Sequence, residues 1–98
     1  MKDFDYQQLN VIIHSRIRLA IISVLISIGE AEFTFLREKV KATDGNLSVH
    51  LKKLETAGYI EVKKEFSNRK PVTTVKLTEK GIRAFEIYVT RLEKLIKG

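Results

Sequence analysis

The residues best suited to chemistry lie between Thr43 and Ile60, and that chemistry is binding rather than catalysis. In this stretch, TDGNLSVHLKKLETAGYI, Leu47, Leu51 and Leu54 repeat at the spacing of one helix face, which commits that face to the core. The opposite face is small near its start and polar or basic along its length, which suits contact with base edges in a DNA major groove. An ordinary solvated face is the alternative. The candidate contacts on this predicted reading helix are Thr43, Gly45, Asn46, Ser48, Val49, Lys52 and Lys53.

A second basic segment follows the reading helix directly. Residues 63–76 hold five positive residues and one negative, a net charge of +4 in a chain whose formal charge is +6. Basic side chains neutralise phosphates and release counterions, so the segment favours a polyanionic partner; a solvated charge run is the alternative. Phe66 alone is aromatic near its tip, which supplies little for stacking on single strands or RNA. The residues expected to follow the DNA backbone or enter a minor groove are Lys64, Asn68, Arg69 and Lys70.

Hydrophobic periodicity and turn residues predict the elements that position these segments. In chain order they are a short helix over Asp5–Val11, a helix over 14–28, an extended piece over 32–35, a helix over 36–40, a turn over 41–43, the reading helix, strands over 60–66 and 72–77 joined by a turn over 67–71, and a helix from 78 to about 97. Gly29 is the predicted stop of the long first helix. The predicted helix caps are Ser15, Thr34, Thr43 or Asp44, and Thr78. Two short helices joined by so brief a turn form a helix-turn-helix.

The first long helix and the last helix carry more apolar surface than one face can bury in a small domain. The first is apolar nearly all round, so it is covered either by its own chain or partly by a second subunit. In the last helix, Ile82, Phe85, Val89, Leu92 and Ile96 alternate steps of three and four, the repeat of a packed helical seam. Packing on its own domain is the alternative to pairing with a second copy. The candidate dimer contacts are Val11, Ile12, Leu19, Ile22, Tyr88, Leu92, Leu95 and Ile96.

Catalytic and metal-binding chemistry finds little support in the sequence. The absence of cysteine excludes disulfides, zinc fingers and thiolate-based metal sensing. The two histidines, His14 and His50, stand alone on helical patterns, and neither a phosphate loop nor a nucleophile elbow occurs. We interpret His50 as a structural histidine or a phosphate donor rather than a metal ligand. The chain is therefore not expected to be an enzyme, and no cofactor or metal is predicted.

The sequence also favours one non-membrane domain over residues 1–98. No apolar run approaches the ~18 residues of a membrane span, and the acidic, polar start MKDFDYQQ lacks the pattern of a signal peptide, so the expected location is cytoplasmic. Within the domain, the helix-turn-helix is expected over about 34–57, the hairpin that follows it, which we call the wing, over about 59–77, and a C-terminal dimerisation helix over about 78–97.

The run TDGNLSVHLKKLETAGYIEVKK, followed by KPVTTVKLTEKG, resembles small stand-alone archaeal and bacterial winged helix-turn-helix regulators related to the MarR and ArsR groups. The resemblance extends from about His14 through Tyr88. It implies an α+β fold of order α-α-β-α-α-β-β-α, a homodimer built from the N- and C-terminal helices, and regulation of transcription through DNA binding. Carried over by position, the groove-facing residues are Gly45, Asn46, Ser48, Val49 and Lys52, and the wing-tip residues are Arg69 and Lys70.

Together these observations predict a sequence-specific regulator of transcription that binds double-stranded DNA as a homodimer on a pseudo-palindromic site. A winged-helix protein-interaction module without direct DNA binding is the second interpretation, since one fold supports several functions. An RNA-binding module is the third. The sequence does not identify a small-molecule effector.

Overall fold

Four α-helices and three β-strands, preceded by one 3-10 turn, follow each other in the computed structural model, which describes residues 6–97. In chain order they are the 3-10 turn Tyr6–Gln8, α1 Arg16–Ile28, β1 Glu30–Glu32, α2 Phe33–Val40, α3 Asp44–Thr56, β2 Ile60–Ser67, β3 Lys70–Leu77 and α4 Glu79–Lys97. The strands form one antiparallel sheet of order β1-β3-β2. This is the predicted winged-helix fold in the predicted order, with the first helix reduced to a single turn. Asp5, where that helix was expected to begin, lies outside the described residues.

Three predicted caps are confirmed by hydrogen bonds that satisfy the first free amides of their helices. Ser15 Oγ accepts from the Arg18 amide at 3.4 Å, and Thr43 Oγ1 accepts from the Asn46 amide at 3.1 Å. Thr78 Oγ1 accepts from the Gly81 amide at 3.0 Å while its hydroxyl donates to the Gly58 carbonyl at 2.7 Å. The last of these caps therefore also ties the start of α4 to the end of α3.

The prediction for residues 30–36 was wrong in position. The extended piece lies at Glu30–Glu32, and Phe33–Val40 is already helical, so Thr34 stands inside α2 and does not cap it. Tertiary pairing explains the shift. Because the Gly29 carbonyl accepts from the Leu77 amide at 3.1 Å, pairing with β3 begins directly after α1 ends.

The wing is a longer ladder with a tighter turn than the sequence predicted. The register pairs Phe66 with Pro71 and Ser67 with Lys70, which leaves Asn68 and Arg69 as a two-residue turn. Their φ angles of 52° and 64° are the left-handed pair of a type I′ turn, whose twist matches that of the flanking strands. Arginine occupies a position that usually favours glycine, so residue preference alone predicted a longer loop. Pro71 is tolerated because β1 pairs only with residues 74–76 and leaves that edge of β3 free.

The core lies where α1, α2 and α3 pack together against one face of the sheet. Its fully buried side chains are Ile13, Ile21, Ile22, Leu25, Leu36, Leu47, Leu54 and Val75. The inner face of α1, with Ile21, Ile22 and Leu25, is thus covered by its own chain, whereas Ile26 and Ile28 are 41 % and 50 % exposed. This removes Ile22 from the candidate dimer contacts, because its side chain has no surface left to offer a second copy.

The N-terminal segment and the first half of α4 pack onto this core together. Tyr88 is 3 % exposed and its hydroxyl bonds to His14 Nδ1 at 2.8 Å. Asn10 Nδ2 donates to the Tyr59 hydroxyl at 2.7 Å, and Arg91 donates to the Gln8 carbonyl at 2.7 Å. Tyr88 is therefore also withdrawn from the candidate dimer contacts, because its ring is already enclosed within the chain.

Candidate nucleic-acid interface

The reading helix is α3, and its two faces differ as the sequence predicted. Its leucines are buried, whereas the polar face opposite them is open to solvent. Every residue proposed to contact DNA from this helix is exposed, namely Thr43, Gly45, Asn46, Ser48, Val49, Lys52 and Lys53. Val49 is 54 % exposed in the middle of that face, so more than half of this apolar side chain is open to solvent. Such a group can contact a thymine methyl as readily as the polar groups can bond base edges.

A groove of about 700 Å³ separates the reading helix from the wing. It is lined by Phe33, Asp44, Ser48, Leu51, Lys52, Glu55, Val62, Lys64 and Thr73. The two lysines stand on opposite walls, Lys52 on α3 and Lys64 on β2, so ammonium groups converge on the groove from both sides. A phosphate backbone entering it would meet positive charge and hydroxyl donors on either wall.

The groove also contains two carboxylates, and each forms an ion pair that the sequence analysis did not predict. Glu55 lies 3.7 Å from the Lys52 ammonium, and Asp44 is bonded to Arg37 at 2.7 Å. The hydrogen bond and charge of Asp44 raise the pKa of Arg37 above its usual value. The Arg37–Asp44 pair connects α2 to the first turn of α3, whereas Glu55 competes directly with any anion for Lys52. The i, i+3 spacing of Lys52 and Glu55 was the available sequence signal.

The wing presents its two faces differently. Alternation along β2 puts Val62, Lys64 and Phe66 on the face that continues the groove, while Lys63 and Glu65 on the other face pair at 3.5 Å. Phe66 is 79 % exposed and its strand partner Pro71 is exposed too, so the tip carries an apolar surface between its charges. Among residues 6–97, no carboxylate pairs with the other predicted wing cations, Lys64, Arg69 and Lys70. Together with exposed Asn68, these side chains are available to an external polyanion.

The flank of α3 turned away from the wing holds His50 beside α1. Arg18 Nη1 lies 2.8 Å from His50 Nδ1, and Arg18 Nε donates to the Ile12 carbonyl. Burial, followed by the charges of Arg18 and Lys53, lowers the pKa of His50 below its usual value. The imidazole on this flank is therefore neutral at physiological pH.

The remaining candidate dimer contacts differ in how far their side chains are exposed. Leu19, Ile12, Leu92 and Leu95 are half-buried, whereas Val11 and Ile96 are 78 % and 75 % exposed. The sequence proposal omitted Ile82, which is also exposed, seven residues before Val89 on the same seam of α4. Of these α4 side chains, Ile96 in the last turn is the most exposed.

Neither histidine is part of a metal-ligand set. In the portion of the chain that the structure describes, no group of three or more histidine, aspartate or glutamate side chains is arranged to hold a metal ion. Across residues 6–97, no helix has the length and hydropathy needed to cross a membrane.

Comparison with known proteins agrees with this geometry. A sequence profile for the winged helix DNA-binding domain matches residues 17–96. An uncharacterized protein of Methanocaldococcus jannaschii is 41% identical over 87 residues, which cover 89% of this chain and 95% of that protein. A transcriptional regulator homologue from Pyrococcus horikoshii superposes with a TM-score of 0.84 at 29% identity, over 89% of this chain and 86% of that one.

A more distant structure shares the fold alone. A MarR family transcriptional regulator from Silicibacter pomeroyi superposes with a TM-score of 0.65 at 16% identity, over 82% of this chain and 53% of that one. The winged helix-turn-helix that the sequence indicated is confirmed by the match to the winged helix DNA-binding domain family and by the shared fold.

Proposed function

Because the chain belongs to the winged helix DNA-binding domain family, we propose that it regulates transcription by binding a specific double-stranded DNA site as a homodimer. In this proposal the helix-turn-helix over 34–57 reads bases, the wing over 59–77 holds the backbone, and the helix over 78–97 joins two copies. The observation that carries the proposal is the groove between α3 and the wing. Its two walls bring Ser48, Lys52 and Lys64 to one side of the molecule, next to the exposed face of the reading helix.

The reading helix suits entry into a major groove. A β-carbon added at Gly45 would have no other part of the protein within 4 Å. The start of the helix is therefore open to close approach by a partner. Asn46 and Ser48 supply the donors and acceptors that distinguish base pairs, and Val49 supplies an apolar contact. Thr43 and the two lysines at 52 and 53 border this face and suit phosphate contacts.

The wing suits contact with the backbone and the adjoining minor groove. Its cations at 64, 69 and 70 neutralise phosphates, and Asn68 adds an amide at the tip. Phe66 and Pro71 suit apolar contact within the minor groove, where other proteins insert such side chains between base steps.

Two copies joined through α4 and the N-terminal segment would present two reading helices. A two-fold dimer of this type reads half-sites separated by about one helical turn, roughly 34 Å, which requires a pseudo-palindromic site. The contacts proposed for this interface are Val11, Ile12, Leu19, Leu92, Leu95 and Ile96. The unpaired apolar surface at the end of α4 supports the proposal.

Salt-dependent titration on duplex DNA tests the function. The probe is a duplex enriched from a random pool by the wild-type protein, and replacing Lys70 with glutamine should lower the salt slope by about 0.9 if Lys70 neutralises a phosphate. Lys94→Gln on α4 is the matched control and should leave the slope unchanged. If no duplex is enriched even at low salt, a protein-interaction module becomes the better interpretation; if structured RNA outcompetes the duplex, an RNA-binding module does.

Sedimentation tests the dimer. The double variant Leu92→Ala, Leu95→Ala should shift the protein toward the monomer because it removes two half-buried apolar side chains from the proposed interface. Ile87→Ala is the control, since Ile87 is 52 % exposed on a different face of α4. A wild-type protein that sediments as a monomer at micromolar concentration would contradict the proposed assembly.

A further inference from the structure

The reading helix has a second flank, which the wing cannot reach. Asn46, His50 and Lys53 follow one another there at i, i+4 and i+7. Successive helical residues turn by about 100°, so His50 lies roughly 160° around the axis from Ser48, which faces the groove beside the wing. A helix lying in a major groove is bordered by a phosphate backbone on each side. The wing serves only one of them.

Arg18 fixes the protonation pattern of the imidazole on this flank. Its guanidinium carries donors and no acceptor, so the 2.8 Å contact requires His50 Nδ1 to accept. The proton of the neutral imidazole is therefore on Nε2. Arg18 is itself held by its bond to the Ile12 carbonyl, which keeps the guanidinium directed at the ring.

The Nε2–H group is not enclosed by the described part of the chain. Among residues 6–97 it has no hydrogen-bond partner, and no buried side-chain nitrogen or oxygen of that part of the chain lacks one. An unbonded Nε2 is consequently an accessible Nε2. The structure thus presents a donor of fixed position on the outer side of the reading helix, next to the exposed ammonium of Lys53.

We infer that His50 Nε2–H donates a hydrogen bond to a backbone phosphate on the DNA strand farther from the wing, and that Arg18 is the positioning residue for this contact. The inference rests on the proposed DNA binding and adds a contact to the second strand. A neutral donor fixes the register of the reading helix without displacing a counterion. Its removal therefore weakens binding at every salt concentration by the same factor, unlike removal of a lysine.

Two amide substitutions test the roles of the two ring nitrogens of His50 separately. His50→Asn keeps an acceptor near the position of Nδ1 for Arg18 and removes the outward donor, whereas His50→Gln extends an amide donor toward the position of Nε2. On the enriched duplex, His50→Asn should bind about tenfold more weakly with an unchanged salt slope, a loss expected for a hydrogen bond to a charged group. His50→Gln should recover most of the affinity. Lys53→Gln is the comparison, with a slope lower by about 0.9.

Duplexes with single neutral methylphosphonates locate the contact. A substitution at one phosphate of the far strand should weaken the wild-type protein by the same factor as His50→Asn and should not weaken His50→Asn further. For Arg18, nitrogen NMR of the ring should report Nε2–H in the wild type and a mixed tautomer population in Arg18→Gln. A structural role alone would not produce that tautomer change.

The outcomes separate the two proposals. If the wild-type protein enriches a duplex but His50→Asn binds it with wild-type affinity, the phosphate contact is wrong while the DNA-binding function stands. The contact is equally wrong if the losses from His50→Asn and from every methylphosphonate simply add. If His50→Asn fails to fold, weak binding by a folded His50→Gln together with no methylphosphonate effect on the far strand would overturn it. If no duplex is enriched, the function itself fails.

Discussion

The α-carbon of Gly81 lies directly against the carbonyl oxygen of Tyr59, with no space for a side chain between them. An added methyl group would overlap that oxygen and come within 2.9 Å of Leu77 Cδ1. The Tyr59 carbonyl also accepts from the Thr78 amide at 3.0 Å, so the backbone there is held from both sides. The first turn of α4 is therefore in direct contact with the backbone just before β2.

Gly81→Ala should destabilise the fold although alanine favours helices. The overlap with backbone should cost about 2 kcal/mol or more, which exceeds the ~1 kcal/mol gained from helix propensity. Urea unfolding measures the difference. Gly45→Ala is the control, because nothing lies within 4 Å of its added methyl group, and it should be neutral or stabilising. Equal stabilisation by both substitutions would mean that α4 adjusts freely.

Arg69→Gly should change stability and DNA binding in opposite directions. Glycine relieves the left-handed backbone at φ 64°, which should raise the free energy of unfolding by about 0.5 to 1 kcal/mol. Loss of the guanidinium should lower the salt slope of DNA binding by about 0.9. Lys41→Gly, at φ 56° in the turn before α3, should give the stability gain with an unchanged slope. An Arg69→Gly protein with an unchanged slope would remove the wing tip from the DNA contact.

Glu55→Gln should strengthen DNA binding. The carboxylate stands 3.7 Å from the Lys52 ammonium within the groove, where it competes with phosphate and repels it. Removing one charge at such distances in water is worth roughly fivefold in affinity at low salt, and the gain should shrink as salt is added. Glu93→Gln is matched to it, since Glu93 pairs with Lys97 at 3.8 Å on α4, away from the groove. Weaker binding by Glu55→Gln would show that the carboxylate orients Lys52 instead.

Acidification should destabilise the protein through His50. Burial, then Arg18 and Lys53, lower its pKa in the folded chain, so the unfolded chain binds a proton first as pH falls. The stabilising contribution is therefore complete above the unfolded pKa of about 6.5 and is lost as pH drops through the lower folded value. Urea unfolding across this range should give a steeper decline for wild type than for His50→Asn, which cannot titrate. Parallel curves would rule out the linkage.

Much of the fold is predictable because local chemistry determines it. The hydroxyls of Ser15, Thr43 and Thr78 each stand just before an apolar stripe and cap the helix that carries it. Gly29 ends α1 with a φ of 85°. The position of β1 is not predictable in this way. Its three residues pair with a strand more than forty residues later, and neither composition nor periodicity near Glu30 contains that information.

In the candidate site, too, the features set by local sequence were predictable and those set by tertiary packing were not. The exposed face of α3 follows from leucine spacing alone, and the charge of the wing follows from composition. The Arg18–His50 contact joins residues 32 positions apart, and the tight approach of Gly81 to Tyr59 depends on how two elements pack. Ile22 and Tyr88 looked like dimer contacts because periodicity identifies apolar faces without saying what covers them.

The sheet has three strands only at its base. β1 accompanies β3 over residues 74–76, while the β2–β3 ladder continues alone from there to the turn at Asn68 and Arg69. A two-stranded ribbon twists more and resists bending less than a sheet with a third strand. The wing is therefore rigid at its base, where Val75 is buried in the core, and more flexible toward its tip. One short chain thus combines a stiff element, α3 seated on its leucines, with an arm that can follow a surface of variable width.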